Sequence, residues 1–113
     1  MTLRYVVHHH EGIPQPHYDF MFETAPGLAL TTFRIIRWPV ESGDQLERLP
    51  DHRAAYLDYE GPVSGNRGNV RRIDRGQLDI LTQSDTEWLL RINSGPLLRL
   101  TVAAPHWRAD IPS

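Results

Sequence analysis

Hydrophobic and polar residues alternate along much of the chain, which is the pattern of half-buried β-strands. The alternation is clearest at 17–23, where Tyr18, Phe20 and Phe22 share one face. Further strand-like segments lie at 3–10, 28–37, 70–73, 77–82, 87–92 and 96–102. Stretches that contain glycine or proline separate these segments. We therefore predict an all-β fold: a compact antiparallel β-barrel of about six to eight short strands, with at most short helical turns.

The segments between the strands predict several turns and irregular connections. Residues 39–51 are polar and rich in turn-forming residues, and Asp74-Arg75-Gly76 is typical of a tight turn between two strands. Asn93-Ser94-Gly95 is predicted to close the last hairpin. Asp51 is placed to cap a short helical turn within 52–59. The tail from Ala104 contains two prolines and is predicted to be irregular.

The composition indicates one soluble domain. A chain of 113 residues with 40% hydrophobic residues can bury one modest core, so we expect a single domain over 1–113 with its core at about 3–103. Cysteine is absent, which excludes disulfides and thiolate metal sites. No apolar run approaches the length of about 20 residues that spans a bilayer. The N-terminus lacks the apolar centre of a signal peptide. These features favour a cytoplasmic protein that does not contact a membrane.

The charged residues leave two interpretations open. The net charge is −2, so no overall basic field attracts nucleic acid. The twelve cationic side chains are all arginine, whose planar guanidinium binds phosphate through paired hydrogen bonds. Arg34 and Arg37 form one pair, and a second group lies within 67–75. Each group is either a phosphate-binding set or a solvated charged edge that protects strands from aggregation.

The strongest chemical signal is a set of histidines beside an aspartate. Residues two apart in a strand point to the same face, so His17 and Asp19 are predicted to project side by side. The segment before them contains the turn-forming residues Gly12, Pro14 and Pro16. A reversal there would bring His10 beside His17. Two histidines and one carboxylate suit Mn²⁺, Zn²⁺ or Fe²⁺. The alternative is an ordinary His-x-Asp pair on a solvated face.

Several short motifs occur in an order that resembles a known family. They are Tyr5-Val6-Val7…His10, His17-Tyr18-Asp19-Phe20…Glu23, Asp51-His52…Tyr56, Tyr59-Glu60-Gly61, Gly68-x-Val70 and Asp74-x-Gly76. Together they resemble the 3′-phosphoesterase domain of bacterial DNA ligase D, over about residues 5–102. No single motif is specific, but their shared order at compatible spacing is. The resemblance implies a compact β-barrel with a metal-dependent phosphodiesterase and phosphomonoesterase activity on the 3′ ends of nucleic acid.

The resemblance also implies roles for individual residues. His10, His17 and Asp19 would hold the divalent metal, with Mn²⁺ foremost and Zn²⁺ as the alternative. His52 and Tyr56 would be catalytic and lie at the phosphate. They can meet only if their segment is a helical turn, in which residues four apart are about 5–6 Å apart. For His52 alone, the other interpretation is a loop histidine that faces water.

The phosphate contacts of this chain depart from the family pattern. Met21 occupies the position of a phosphate-binding arginine, and a thioether carries no charge to stabilise a transition state. The family's lysine after the third strand has no lysine counterpart here. Arg37 is the nearest match, and Arg34 is a second candidate. We predict that Met21→Arg raises activity if the site is otherwise intact.

Three functions are consistent with the sequence. The first is a stand-alone phosphoesterase-like domain that processes 3′-terminal phosphate or ribonucleotide ends in DNA repair, with a repair ligase or polymerase as its partner. The second is a non-catalytic relative that binds nucleic-acid ends or a protein partner, and Met21 favours it. The third is a metal-dependent enzyme that uses the same cleft for a small molecule.

Overall fold

The fold is a closed antiparallel β-barrel. The computed structural model describes residues 2–112, and all its strands belong to one nine-stranded sheet. The strands are β1 Leu3–Glu11, β2 His17–Phe22, β3 Leu30–Ile35, β4 Gln45–His52, β5 Gly61–Pro62, β6 Asn69–Gln83, β7 Glu87–Ile92, β8 Leu97–Ala103 and β9 His106–Asp110. A 3₁₀ turn, Ala54–Leu57, follows β4. The prediction of an all-β barrel with only short helical turns is confirmed.

The barrel closes through its first strand. The strand order is β1-β2-β3-β4-β9-β8-β7-β6-β5, and β1 also pairs with β6 along its whole length, from Leu3↔Leu78 to Glu11↔Asn69. Only β5, a two-residue strand that pairs with β6, lies outside the closed ring. Residues Tyr5–His10 of β1 therefore have strand neighbours on both sides, in β2 and in β6. No helix within residues 2–112 is long and apolar enough to cross a membrane.

The two faces of β1 and β2 pack against different surroundings. Tyr5 and Val7 on β1, with Phe20 and Phe22 on β2, point into the barrel and belong to its main core. The opposite face carries a second, smaller apolar cluster on the outside of the barrel. We call it the outer patch, and it consists of Val6, Met21, Leu30 and Leu57. Leu57 comes from the 3₁₀ turn, so the turn covers this part of the outer face.

Two strands occur where the sequence predicted irregular structure. Residues 39–51 contain β4, whose buried side chain is Leu46, and the tail after Ala104 contains β9, whose buried side chain is Ala109. Both predictions were wrong because each strand presents so few apolar residues to the core that no alternation is visible. The pairing of β9 with β4 and β8 completes the barrel wall. Asp51 also fails as a helix cap, since Arg53 occupies that position and makes no capping bond with its side chain.

Asp74-Arg75-Gly76 is not a turn, because it lies within the continuous strand β6. The Asp74 carboxylate accepts hydrogen bonds from the Tyr5 hydroxyl at 3.1 Å and from the Trp38 indole N–H at 2.8 Å. The Asn93 amide donates to the Tyr5 oxygen at 3.0 Å, and a Cβ on Gly76 would overlap the Asn93 side chain. We call Tyr5, Trp38, Asp74 and Asn93 the Asp74 network. The motif therefore has a structural role at one end of the barrel.

Candidate metal centre

His10 and His17 meet at the end of the β1–β2 hairpin. They are direct partners in the antiparallel register, and their ring centroids are 4.9 Å apart. Directly paired side chains lie on the same face of a sheet. Asp19, two residues after His17, shares that face, and its Oδ2 lies 3.5 Å from His17 Nε2. The potential ligand atoms of His10, His17 and Asp19 all lie within 4.8 Å of one another.

Backbone carbonyls orient both imidazoles. His17 Nδ1 donates a hydrogen bond to the Gln15 carbonyl oxygen at 3.0 Å, and His10 Nε2 donates to the Arg67 carbonyl oxygen at 2.6 Å. Each bond fixes the tautomer and leaves the other ring nitrogen with a free lone pair. This arrangement is typical of metal-binding histidines, whose second nitrogen donates to a carbonyl or carboxylate.

The carbonyl that orients His10 depends on a close approach between two backbones. Arg67 lies in the connection between β5 and β6, next to Gly68, which has φ +75°. A Cβ at Gly68 would overlap the Glu11 carbonyl oxygen on β1. Only glycine fits this combination of left-handed backbone and close contact. Gly68 thereby allows the connection to lie against β1.

Asp19 belongs to a row of polar side chains that runs across three strands. His8↔Asp19 and Asp19↔Arg34 are direct pairs, so the three side chains share the outer face. We call His8, Asp19 and Arg34 the polar row. His8 Nε2, Asp19 Oδ1 and Arg34 Nε are buried and have no hydrogen-bond partner among the residues described. Buried polar atoms in folded proteins are usually paired, so an unpaired set on one face indicates a place for a ligand or an ion.

The electrostatics of Asp19 fit a cation. Burial raises the pKa of the Asp19 carboxyl, because the side chain is only 6% exposed and its charged form has lost most of its water. The nearby His17, His52 and Arg34 oppose this rise. A divalent ion would offset the desolvation directly and give the unpaired Oδ1 a partner. The donor set of two imidazoles and one carboxylate therefore fits Mn²⁺ or Zn²⁺.

His52 and Tyr56 lie beside this set. His52 ends β4 opposite Leu30, and Tyr56 follows in the 3₁₀ turn, with ring centroids 5.8 Å apart. The expected helical turn thus brings the two rings together. His52 Nδ1 donates to the Pro50 carbonyl oxygen at 3.0 Å, so Nε2 is its free nitrogen. The Tyr56 ring also lies 6.1 Å from the ring of His8, which is the direct strand partner of Asp19.

The two candidate arginines have different surroundings. Arg34 is in the polar row, where its charge opposes the rise in the pKa of Asp19, and its guanidinium lies 3.9 Å from the Glu47 carboxylate. Arg37 instead binds the Asp44 carboxylate through two hydrogen bonds of 2.6 and 3.0 Å and pairs with Glu41 at 2.9 Å. These carboxylates compensate its charge. Of the two candidates, only Arg34 shares a face and a row with Asp19.

Arginines of the 67–75 group also have partners of their own. Arg72 Nε lies 3.1 Å from Glu60, and Arg71 Nε lies 3.6 Å from Glu11. The Arg67 guanidinium donates to the Ser64 carbonyl oxygen at 2.7 Å. These contacts favour the interpretation of a structured charged edge over that of a free phosphate-binding set.

Met21 is buried and does not provide an open position beside the candidate metal ligands. Its side chain is 1% exposed and packs in the outer patch against Val6, Leu30 and Leu57. An arginine there would bury a charge among apolar side chains. We therefore expect Met21→Arg to lower stability, and increased activity stays a prediction for a variant whose site is otherwise intact.

The sequence interpretation missed His8 as part of the site. Its side chain is 1% exposed, and burial lowers its pKa to about 4, so the ring is neutral at pH 7. It lies opposite both Asp19 on β2 and Arg72 on β6. The signal was present, because His8 and His10 are two residues apart and share a face. The carbonyls of Gln15 and Arg67 gave no such signal, since every residue has one.

Comparison with known proteins adds no family assignment. No model of a known protein family matches this sequence, and no curated protein matches it.

Proposed function

We propose that this chain is a metal-dependent phosphoesterase-like domain that acts on phosphate esters at the 3′ ends of nucleic acid, similar to the 3′-phosphoesterase domain of bacterial DNA ligase D. The observation that carries the proposal is the convergence of His10, His17 and Asp19 within 4.8 Å beside the His52–Tyr56 pair. Two further features support it. The imidazoles are oriented by carbonyls, and buried polar atoms are left unpaired on the same face.

Each residue has a role that follows from its chemistry. His10, His17 and Asp19 hold the divalent ion, with Mn²⁺ foremost and Zn²⁺ as the alternative. The ion, when bound, polarises a phosphoryl oxygen and lowers the pKa of a water toward neutrality. His52 can give a proton to the leaving oxygen through Nε2 once it is protonated. The Tyr56 hydroxyl can donate a hydrogen bond to a phosphate oxygen.

Arg34 supplies the positive charge that Met21 cannot. Its guanidinium lies in the polar row opposite Asp19, and its Nε is buried without a partner among residues 2–112. A phosphate oxygen would satisfy that donor. Charge aimed at the phosphate is the part of such a site that stabilises the transition state most.

The test is hydrolysis of a primer–template that carries a 3′-phosphate or a 3′ ribonucleotide, in the presence of Mn²⁺. We expect turnover that falls at least about 100-fold in His17→Ala, because removal of a ligand costs no less than removal of its hydrogen-bond partner. His9→Ala is the matched control. The His9 ring lies on the other face of β1 and stacks on Tyr18 at 4.7 Å. Equal turnover by the two variants would exclude the proposed ligands.

A non-catalytic relative that binds nucleic-acid ends or a protein partner is the second candidate. Met21, buried where the resembling family carries a phosphate-binding arginine, favours it. This candidate predicts no turnover of either substrate and end binding that weakens steeply with salt. Mn²⁺ binding measured by calorimetry would then separate a metal-containing binding domain from one without metal.

A further inference from the structure

A second concave site is lined in part by Tyr56, whose ring also contacts His8 of the polar row. It is a cavity of about 210 Å³ between the 3₁₀ turn and the β5–β6 connection. Pockets for drug-sized ligands are typically about 300–1,000 Å³, so this cavity suits a smaller group. Its walls include Arg53, Tyr56, Tyr59, Val63 and Ser64.

The lining of this cavity combines aromatic rings with a guanidinium. Tyr56 and Tyr59 meet edge to face with centroids 5.8 Å apart, and Arg53 lies over the Tyr56 ring at 5.8 Å. The Tyr59 hydroxyl donates to the Pro62 carbonyl oxygen, which ties the ring to the opposite wall. Aromatic rings and arginine planes are the groups on which proteins stack unpaired nucleobases.

Tyr56 connects this cavity to the candidate metal centre. Its ring contacts His52 at 5.8 Å and His8 at 6.1 Å, while it also lines the cavity. The β5–β6 connection provides a second link. Ser64 lines the cavity, Arg67 donates to the Ser64 carbonyl oxygen, and the Arg67 carbonyl accepts the hydrogen bond from His10. A group bound in the cavity is therefore adjacent to a phosphate bound at His52 and Tyr56.

We propose that this cavity binds the nucleobase of the terminal nucleotide whose phosphate lies at the metal centre, an inference that rests on the proposed function. The base stacks on the Tyr59 ring, with Tyr56 and Arg53 at its edge. A base can enter only when it is not paired or stacked within a duplex. The preferred substrate is therefore a single-stranded or frayed 3′ end rather than a blunt duplex end.

The test compares two single-stranded oligonucleotides with a 3′-phosphate, one with a normal terminal nucleotide and one in which that nucleotide is abasic. Equilibrium binding is measured by fluorescence anisotropy in EDTA and again with Mn²⁺, and hydrolysis is measured separately. We expect binding of the abasic oligonucleotide to be roughly five- to one-hundred-fold weaker, since one stacked base is lost. Tyr59→Leu should remove this difference. Tyr59→Phe, which keeps the ring, should retain it.

The outcomes separate this inference from the proposed function. Equal binding of the two oligonucleotides, or no binding of either, overturns the base site. If both are hydrolysed at equal KM, the phosphoesterase proposal stands and the base site fails. A preference for the normal end without hydrolysis supports the base site and rejects the catalytic proposal. If Tyr59→Leu does not fold, Arg53→Gln replaces it, because Arg53 is exposed and its loss should also reduce the preference.

Discussion

The barrel contains two clusters of buried and partly buried polar groups that differ in how far their hydrogen bonds are satisfied. In the Asp74 network, the Tyr5 hydroxyl and the Trp38 indole both donate to the carboxylate, and the Asn93 amide donates to the Tyr5 oxygen. In the polar row, His8, Asp19 and Arg34 each keep a buried atom without a partner among residues 2–112. Both clusters include a residue of β1. The difference fits a structural role for the first cluster and supports our proposal that the second binds an ion or a phosphate.

This comparison implies that a buried charge is tolerated only where a protein partner or a ligand can reach it. Met21→Arg tests the point most strongly, since it adds a charge to the outer patch, among Val6, Leu30 and Leu57. We expect the free energy of unfolding to fall by about 3–5 kcal/mol, which is the usual cost of an unpaired buried charge. Urea denaturation measures it, with Met21→Leu as a volume-matched control. Unchanged stability together with increased turnover would contradict this expectation and support the prediction that Met21→Arg raises activity.

Asp74→Ala tests the satisfied cluster. It leaves the Tyr5 hydroxyl and the Trp38 N–H without their acceptor, and each loss costs about 1–3 kcal/mol. We expect the free energy of unfolding to fall by about 2–4 kcal/mol, with Mn²⁺ affinity measured by calorimetry unchanged. Asp85→Ala, at an exposed turn position, is the control. A loss of Mn²⁺ affinity without a loss of stability would mean that Asp74 acts in metal binding, as proposed for the polar row, and not in the fold.

Asp19→Asn should produce the opposite result. It removes a carboxylate whose charge is poorly solvated, so the free energy of unfolding in EDTA should stay the same or rise. The affinity for Mn²⁺ should fall at least about 100-fold, because an amide is a weaker ligand than a carboxylate. Chemical denaturation and calorimetry on the same samples give both numbers. A clear loss of stability in EDTA would show that Asp19 supports the fold as Asp74 does.

Gly68→Ala tests whether the orienting carbonyl matters. The added Cβ forces the β5–β6 connection away from β1 and moves the Arg67 carbonyl away from His10. We expect a loss of about 10–100-fold in Mn²⁺ affinity. Gly65→Ala is the matched control. Gly65 has a similar φ of +76°, but its Cβ would meet only the Arg67 side chain at 3.6 Å. Equal effects of the two variants would mean that backbone strain, not the position of the carbonyl, is responsible.

The smallest expected effect is the pH dependence of the Asp74 network. Burial, together with the Asp74 charge, raises the pKa of Tyr5 to about 12 from 10.0. Between these values the unfolded chain releases the tyrosine proton while the folded chain keeps it. The stabilisation is therefore complete below pH 10 and is lost as the pH rises toward 12. The stability advantage of wild type over Tyr5→Phe should shrink between pH 9 and pH 11. A constant difference would contradict the raised pKa.

The sequence predicted those strands whose apolar residues alternate clearly. For β7, the predicted and observed bounds are both 87–92, and β2 and β8 differ from their predicted bounds by one residue. In contrast, β4 and β9 could not be predicted, because their place in the sheet depends on pairing with distant strands rather than on their own residues. In β6, the turn chemistry of Asp74-Arg75-Gly76 was overridden by pairing with β1.

The part of the candidate site that depends on local spacing along the chain was also predictable. Spacing alone placed His17 beside Asp19, and turn residues placed His10 opposite His17. The burial of Met21 was not predictable, because it depends on Leu57 arriving from the 3₁₀ turn. The contribution of Arg67 was also hidden, since its carbonyl carries the interaction and its side chain does not.

The closure of the barrel through β1 has a consequence for synthesis of the chain. His10 and His17 leave the ribosome early, but the carbonyl at Arg67 and the strand that pairs with Leu3 and His10 emerge much later. Contacts between such distant segments form slowly and only after the intervening chain is available. A nascent chain that ends before β6 would thus present imidazoles without a competent cation-binding geometry. Formation of the candidate centre is therefore tied to the pairing of β1 with β6 and not to the β1–β2 hairpin alone.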